Sequence, residues 1–381
     1  MSRKKLVILG ASITGLGVVR DAMANGLEPL LVDVSDGIAF RSSLARRILC
    51  DGDEQVLKTL LAHEICAGSL LIATSDSWIE FVMLNRTALD DAYDTVLHAS
   101  NDVLEICTDK FMFARWCLDN QVSAPRFYEI EEGGIPADCD LTYPLLLRPY
   151  KGVMNGGGGE VPKAVHVSER AALLRWVKAF RDAKIHPIAT QSLLGTDLVQ
   201  YSVGLARNGA LTVSFVAEKV RPHAGQCAVG CYVVLRENAE VEALARDVAE
   251  RLGYFGIAEF EILHVRESGE NYLIEINARP WIQYGLGPKS GHNLLKVLLD
   301  AGNYDASNEK KTGVRWLDFN DDLYNCFSRR VGLVRNGSVS WRDYVASVFR
   351  ANAFSKWKFS DQAPFWYALR KTISDVGRRY L

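Results

Sequence analysis

Glu261, Glu275, Asn277 and Arg279 have the types and spacing to hold a hard metal ion beside a phosphate. The stretches 257–263 and 272–277 are rich in β-branched and aromatic residues and flank a polar turn at 267–271, so they predict a two-stranded hairpin. Side chains alternate along a strand, which puts Glu275 and Asn277 on one face and Arg279 two residues further along it. With Glu261 lying across from them, three oxygen ligands converge with no basic residue between. Such a set holds Mg2+ through a few hard oxygens and leaves the other coordination positions to water and phosphate. Arg279 then reaches a phosphate oxygen or a developing negative charge. The competing reading is an ordinary hairpin with solvated acids on one face.

Cations and a glycine run precede the hairpin. Thr108 or Asp109 caps a helix over 111–120 that Lys110 opens, and 143–149 reads as a strand carrying Arg148. Lys151 then begins a loop with four consecutive glycines, 156–159, whose backbone N–H groups suit closure over phosphates; a surface linker is the competing reading. A strand ends near Gln191, Ser192 and Leu193, and Gly195 and Asp197 follow. Segments 198–206 and 211–220 predict two antiparallel strands, the second carrying Lys219, which on its own reads as a solvated strand-end cation. A periodic helix over 240–252 leads into the hairpin.

The first hundred residues predict a parallel α/β unit. A short apolar strand at 5–10 ends in glycine, helical spacing covers 15–25, and a second strand at 28–33 ends in Asp33. That is the outline of a mononucleotide-binding βαβ unit. Its glycines, Gly10, Gly15 and Gly17, leave Ser12 where a dinucleotide fingerprint needs the glycine that admits a pyrophosphate. Another strand at 69–76 ends at Asp76, a substrate-contact candidate at the polar end of a sheet or a helix N-cap.

With 381 residues, 48% hydrophobic, and a formal net charge of −2, the chain is a globular protein large enough for two or three domains, without the basic footprint of a nucleic-acid binder. The sequence shows neither an apolar run of membrane-spanning length nor a secretory-type leader, so a cytoplasmic location is expected. Eight dispersed cysteines and seven dispersed histidines point to reduced core thiols rather than zinc or disulfides.

The order Lys110, Arg148, glycine loop, 191–197, Lys219, Glu261, and Glu275-x-Asn277-x-Arg279 resembles the ATP-grasp superfamily of carboxylate-amine ligases, D-aspartate ligase-like enzymes in particular, over about residues 5–300. The resemblance implies a Rossmann-like pre-ATP-grasp domain with a parallel sheet at 1–105. It further implies an ATP-grasp fold with antiparallel sheets at 106–304, including a lid at about 122–192, and a helical segment at 305–381. It implies ATP and Mg2+, replaceable by Mn2+, as cofactors. Lys110, Arg148 and Lys219 stand where the family places cations around the phosphates and adenine, and Lys151 joins them as a nucleotide-contact candidate from its place at the glycine loop. Ser192 and Leu193 correspond to the adenine-pairing hinge, with Gln191 where the family usually has Glu, and Asp197 to the ribose-binding acid. Glu261, Glu275 and Asn277 correspond to the metal ligands, and Arg279, Lys110 and Arg148 to the residues that stabilise phosphoryl transfer. Arg148 departs from the usual Lys, which exchanges a point charge for a rigid fork.

The activity implied is ATP-dependent joining of a small-molecule carboxylate to an amine through an acyl phosphate, in cell-surface glycan or peptide-like metabolite synthesis, by a homodimer. A nicotinamide-dependent oxidoreductase using the first βαβ unit and a catalytically silent ATP-binding regulator are the alternatives. Residues 341–381 hold eight Lys or Arg against three Asp, interleaved with ten aromatics. This segment reads as a helical cap packed on the core through Trp357, Phe365 and Trp366, or as a surface with weak affinity for anionic lipid.

Overall fold

The computed structural model describes residues 3–130, 135, 140–150, 161–162, 164–222, 229–329 and 331–380, with backbone alone for 373–380. Strands β1 (Lys5–Leu9), β2 (Glu28–Asp33), β3 (Arg46–Leu49), β4 (Ser69–Ala73) and β5 (Thr95–Val96) form a parallel sheet in the order β3-β2-β1-β4-β5. Helix Ile13–Ala24 follows β1 and is capped by the Ser12 hydroxyl, which accepts from the Thr14 N–H. A smaller antiparallel sheet, ordered β6-β9-β7-β8, contains β6 (Phe127–Tyr128), β7 (Leu145–Pro149), β8 (Val165–Val167) and β9 (Pro187–Gln191). Helix Arg170–Asp182 buries Leu173, Val177 and Phe180, one stripe at i, i+4 and i+7, against this sheet.

The largest sheet has seven strands in the order β14-β13-β10-β11-β12-β15-β16. Its members are β10 (Leu198–Asn208), β11 (Leu211–Pro222), β12 (Gly230–Arg236), β13 (Gly256–Val265), β14 (Asn271–Asn277), β15 (Arg315–Leu317) and β16 (Ala353–Phe354). The 305–381 segment is therefore mainly helical, through Phe319–Phe327, Trp341–Arg350 and Ala363–Tyr380, but it also extends the central sheet by two short strands.

Alternation along β1 ties the parallel sheet to the rest of the molecule. Val7 and Leu9 enter a core shared with Phe260 and Ile276 of the hairpin, while Leu6 and Ile8 enter a second core with Phe215, Trp281 and Tyr284. Each fully buried aliphatic side chain in such a layer contributes roughly 1.5–3 kcal/mol relative to exposure. A polar clamp lies between these layers: His98 Nε2 accepts from the Ala73 N–H at 2.7 Å, and His98 bridges to Gly256 at the start of β13. Gly256 has φ +120°, and a Cβ there would meet the Leu97 carbonyl at 3.1 Å, so the approach needs glycine. Burial, with Arg86 nearby, lowers the His98 pKa to about 3 and keeps the clamp neutral.

All six cysteines among the described residues are free and buried, as expected of core thiols. Among the described residues no helix is long and apolar enough to cross a membrane. Trp357 and Phe365 are half-buried and meet edge to face, with ring centroids 5.2 Å apart, whereas Trp366 is 47% exposed. None of the three is fully buried, and their ring contacts are with one another.

Candidate active site

Glu261 lies directly opposite Glu275, and Glu259 opposite Asn277, on the antiparallel β13–β14 ladder. A bulge follows Glu261, so the register that aligns these four residues ends there. The expected hairpin is thus present and its register brings Glu261, Glu275 and Asn277 together, but Asn277 turns its amide nitrogen, not its oxygen, toward Glu259 and Glu261. Arg279 is two residues beyond, and its Nη2 donates to Asn277 Oδ1 at 3.2 Å.

The carboxylates are not free of cations, contrary to the sequence expectation. Lys219, on β11, extends its ammonium to 2.8 Å from Glu261 Oε1 and 3.2 Å from Glu259 Oε1. It is only 6% exposed, which overturns its reading as a solvated strand-end cation. The strand runs on to Pro222 rather than ending at 220, and pairing through β10 brings Lys219 beneath β13. Burial pulls the Lys219 pKa down, but the two carboxylates more than offset this and the net shift is upward. Burial and the neighbouring Glu261 raise the Glu259 pKa against the opposing pull of Lys219.

Glu259 was absent from the expected site, yet it is the most enclosed member of the network. Ser202 Oγ donates to its Oε1 at 2.6 Å and Asn277 Nδ2 to its Oε2 at 2.9 Å. Gln200 Nε2 donates to Glu261 Oε2 at 3.0 Å, while Gln200 Oε1 is buried without a partner. Strand alternation already placed Glu259 on the face of Glu261, and that was the available signal.

The phosphate-side cations come from other elements. Asp109 caps helix Lys110–Asp119 through the Phe111 and Met112 N–H groups, and the Lys110 N–H donates to the Tyr150 carbonyl at 2.9 Å. This ties the helix start to the end of β7 and sets Lys110 Nζ 3.8 Å from Glu275 Oε1. Arg148 projects from β7 into the same field: burial lowers its pKa, Glu275 pulls the other way, and its Nε is buried without a partner among the described residues. A cavity of about 220 Å3 opens among Asp76, Thr108, Lys110, Glu275 and Asn277.

Asp76 proves to be the partner of Arg279. Its two oxygens accept from Arg279 Nε and Nη2 at 2.7 and 2.8 Å, a fork-to-fork pair. Ser75, not Asp76, caps the helix Asp76–Leu84. Burial lowers the Arg279 pKa, but Asp76, with Glu259 and Glu275, more than offsets this and the net shift is upward, so the guanidinium stays charged.

The remaining expected nucleotide contacts lie apart from the ladder. The Gln191 N–H is taken by the Arg126 carbonyl and the Ser192 N–H by the Pro144 carbonyl, while Leu193 follows with no acceptor for its N–H among the described residues. Asp197 is exposed and faces Arg266 at 3.4 Å. On β10 it lies beyond Leu198, whereas Glu261 pairs with Ser202, so the two acids are separated by roughly 15 Å along the strand. Lys151 and the glycine run 156–159 lie outside the described residues.

At the first βα turn the backbone of Ala11 is engaged by the chain itself. The Asp33 carboxylate accepts from the Ala11 N–H at 2.5 Å, and a Cβ on Gly37 would meet the Ala11 carbonyl at 2.2 Å.

For a divalent cation the donor chemistry fits. Among the described residues Glu275 meets no partner but Lys110 at 3.8 Å, and Glu261 Oε2, which accepts only from Gln200, keeps a second lone pair, whereas its Oε1 accepts from both Lys219 and Asn277 Nδ2. Among the described residues no group of three or more His, Cys, Asp or Glu gathers as a metal site on its own, so an ion here depends on Asn277, water and phosphate for its other ligands.

No family model matches the sequence, and no curated protein is similar to it at a significant level. Solved structures do match. The chain is similar to N5-carboxyaminoimidazole synthetase from Staphylococcus aureus complexed with ADP, with TM-score 0.59 and 15% identity over 77% of this chain and 76% of that one. It is similar to L-amino acid ligase from Bacillus licheniformis, with TM-score 0.57 and 18% identity over 83% and 79% of the two chains. It is also similar to Rhizobium etli pyruvate carboxylase, with TM-score 0.61 and 14% identity over 83% of this chain, which spans 30% of that longer one.

Proposed function

We propose, from the premise that this chain has the ATP-grasp fold, that it is an ATP-dependent ligase that activates a carboxylate as an acyl phosphate and joins it to an amine. The observation that carries this reading is the facing pair Glu261 and Glu275, with Lys110 and Arg148 closing on Glu275 from other elements. A carboxylate is a poor electrophile because its oxygen leaves badly, and phosphoryl transfer from ATP turns that oxygen into a leaving group. Glu261, Glu275 and Asn277 would hold Mg2+, which would supply positive charge against the phosphates.

The chain's own residues do the rest. Lys110 and the unpartnered Nε of Arg148 take phosphate oxygens, where a buried donor lacking an acceptor gains most from one. Arg279, held by Asp76, presents a fixed guanidinium edge to charge that develops in the transition state. Lys219 and Glu259 hold Glu261 in place rather than touching substrate. The Leu193 N–H reads adenine, and Asp197 with Gln191 completes the nucleotide contacts.

Incubating the protein with Mg2+-ATP and pools of carboxylates and amines, and following ADP and phosphate, tests this reading. Substrate-dependent release that disappears in Glu275→Gln is the expected result. ATP binding without release from any pool would instead favour a regulatory role.

A further inference from the structure

A second cavity, of about 450 Å3, shares no lining residue with the one at the acidic ladder. One wall is the stripe Ile13, Gly17, Asp21 and Ala24 on helix Ile13–Ala24, residues three and four apart and so on one face. The opposite wall is aromatic, built from Trp316, Phe354, Trp357 and Phe359. The turn after Arg279 closes a third side through Ile282, Gly285 and Pro288. The volume falls within the range of small-molecule sites, and a mostly apolar lining with a few polar groups is their usual chemistry.

The charges in this cavity are unevenly matched. Arg20 is committed: it pairs with Asp361 at 3.0 Å and donates to the carbonyls of Ser355 and Lys356 at 3.3 and 2.8 Å. Asp21 is also committed, accepting from the Tyr284 hydroxyl and from Asn25 Nδ2. Burial raises its pKa to about 6, so it is a weak counter-ion. Lys358 and Lys289 line the cavity, and their ammonium groups make no hydrogen bond or ion pair to a described residue. Lys289 is exposed at the mouth, whereas Lys358 is half-buried and its pKa is lowered by burial and by Arg20, with Asp361 and Asp21 attracting it only from beyond hydrogen-bond distance. A partly desolvated ammonium beside an aromatic wall, with no anion in contact, has its strongest available partner in a ligand.

We propose that this cavity binds a small organic anion with a ring-sized apolar body, its charged group on Lys358 with Lys289 at the mouth, and its body against Phe354 and Trp357. A carboxylate and a phosphate ester offer the same recognition chemistry. The site does not rest on the ligase reading, and its test uses no turnover.

Titration calorimetry of the full chain with benzoate, phenyl phosphate and uncharged benzamide, each with and without saturating Mg2+-ATP, reads the site directly. Benzoate or phenyl phosphate binds in the millimolar range or tighter, and the preferred one identifies the anionic group. Benzamide binds at least ~10-fold more weakly, as loss of one charge-assisted contact requires. Lys358→Met weakens the anion ~10-fold or more, Lys289→Met weakens it less, and Lys358→Arg restores binding; Glu275→Gln leaves it unchanged. Should Lys358→Met fail to fold, Trp357→Leu serves, with the same weakening expected. No anion binding below about 10 mM, equal affinity for benzamide, indifference to both Lys358→Met and Trp357→Leu, or displacement by ATP each overturns the proposal.

Discussion

Removing the Lys219 ammonium leaves Glu259 and Glu261 as two buried acids without a shared cation. At distances of 3.2 and 2.8 Å, and with an effective dielectric constant near 20, the two attractions lost are about 5 and about 6 kcal/mol. Most of that sum offsets the cost of burying three charges, and stripping one partner from such a cluster costs about 3–5 kcal/mol net. Lys219→Met is therefore expected to lose about 3–5 kcal/mol in urea unfolding at pH 7.5. The sign of its pH dependence follows from Glu259, whose pKa burial and Glu261 already raise. Without Lys219 it rises further, the folded state binds more protons than the unfolded one, and stability recovers as pH falls through that raised value. Urea titrations at pH 7.5 and 5 then show a smaller deficit at pH 5, and Lys219→Met/Glu259→Gln regains more than half the loss at pH 7.5. A deficit below ~1 kcal/mol, or one that grows on acidification, refutes the buried-network argument.

Other outcomes are expected from the same geometry. Arg148→Ala weakens ATP binding ~10- to 100-fold in a direct titration, since a charge-assisted contact contributes about 1.5–3 kcal/mol, while Arg148→Lys retains the charge and loses less. Asp76→Asn lowers turnover through a misdirected Arg279 but changes unfolding free energy by under ~1 kcal/mol, because this Asp is largely exposed. Asp21 has a folded pKa of about 6 against 3.8, so it destabilises the protein above pH 6 by about 3 kcal/mol, and the penalty fades as pH falls toward 4. Wild type accordingly gains stability relative to Asp21→Asn between pH 7 and pH 4, and parallel pH profiles of the two would exclude that assignment.

Legibility in the sequence followed the range of the interaction. The hairpin was readable because alternation and a polar turn fix the register of 257–263 against 272–277, and the ladder pairs Glu261 with Glu275 as that register requires. The first βαβ unit and the Asp109 cap are equally local. Lys219 was misread because its burial depends on pairing across β10, which no periodicity in 211–220 encodes. The Arg279–Asp76 pair joins residues 203 positions apart, and only the shared cores around β1 bring them together. β15 and β16, of three and two residues, are too short to carry a pattern of their own.

The two short strands bear on how the protein is made. β12 pairs on one side with β11 and on the other with β15, and β15 in turn with β16, so the backbone edge of the central sheet stays open until residues 315–354 have left the ribosome. A nascent or clipped chain ending before Arg315 would present Gly230–Arg236, apolar until its final arginine, as an unpaired template for another copy. Premature termination is then a hazard of self-association before it is a loss of activity, although the acidic ladder at the opposite edge is already complete.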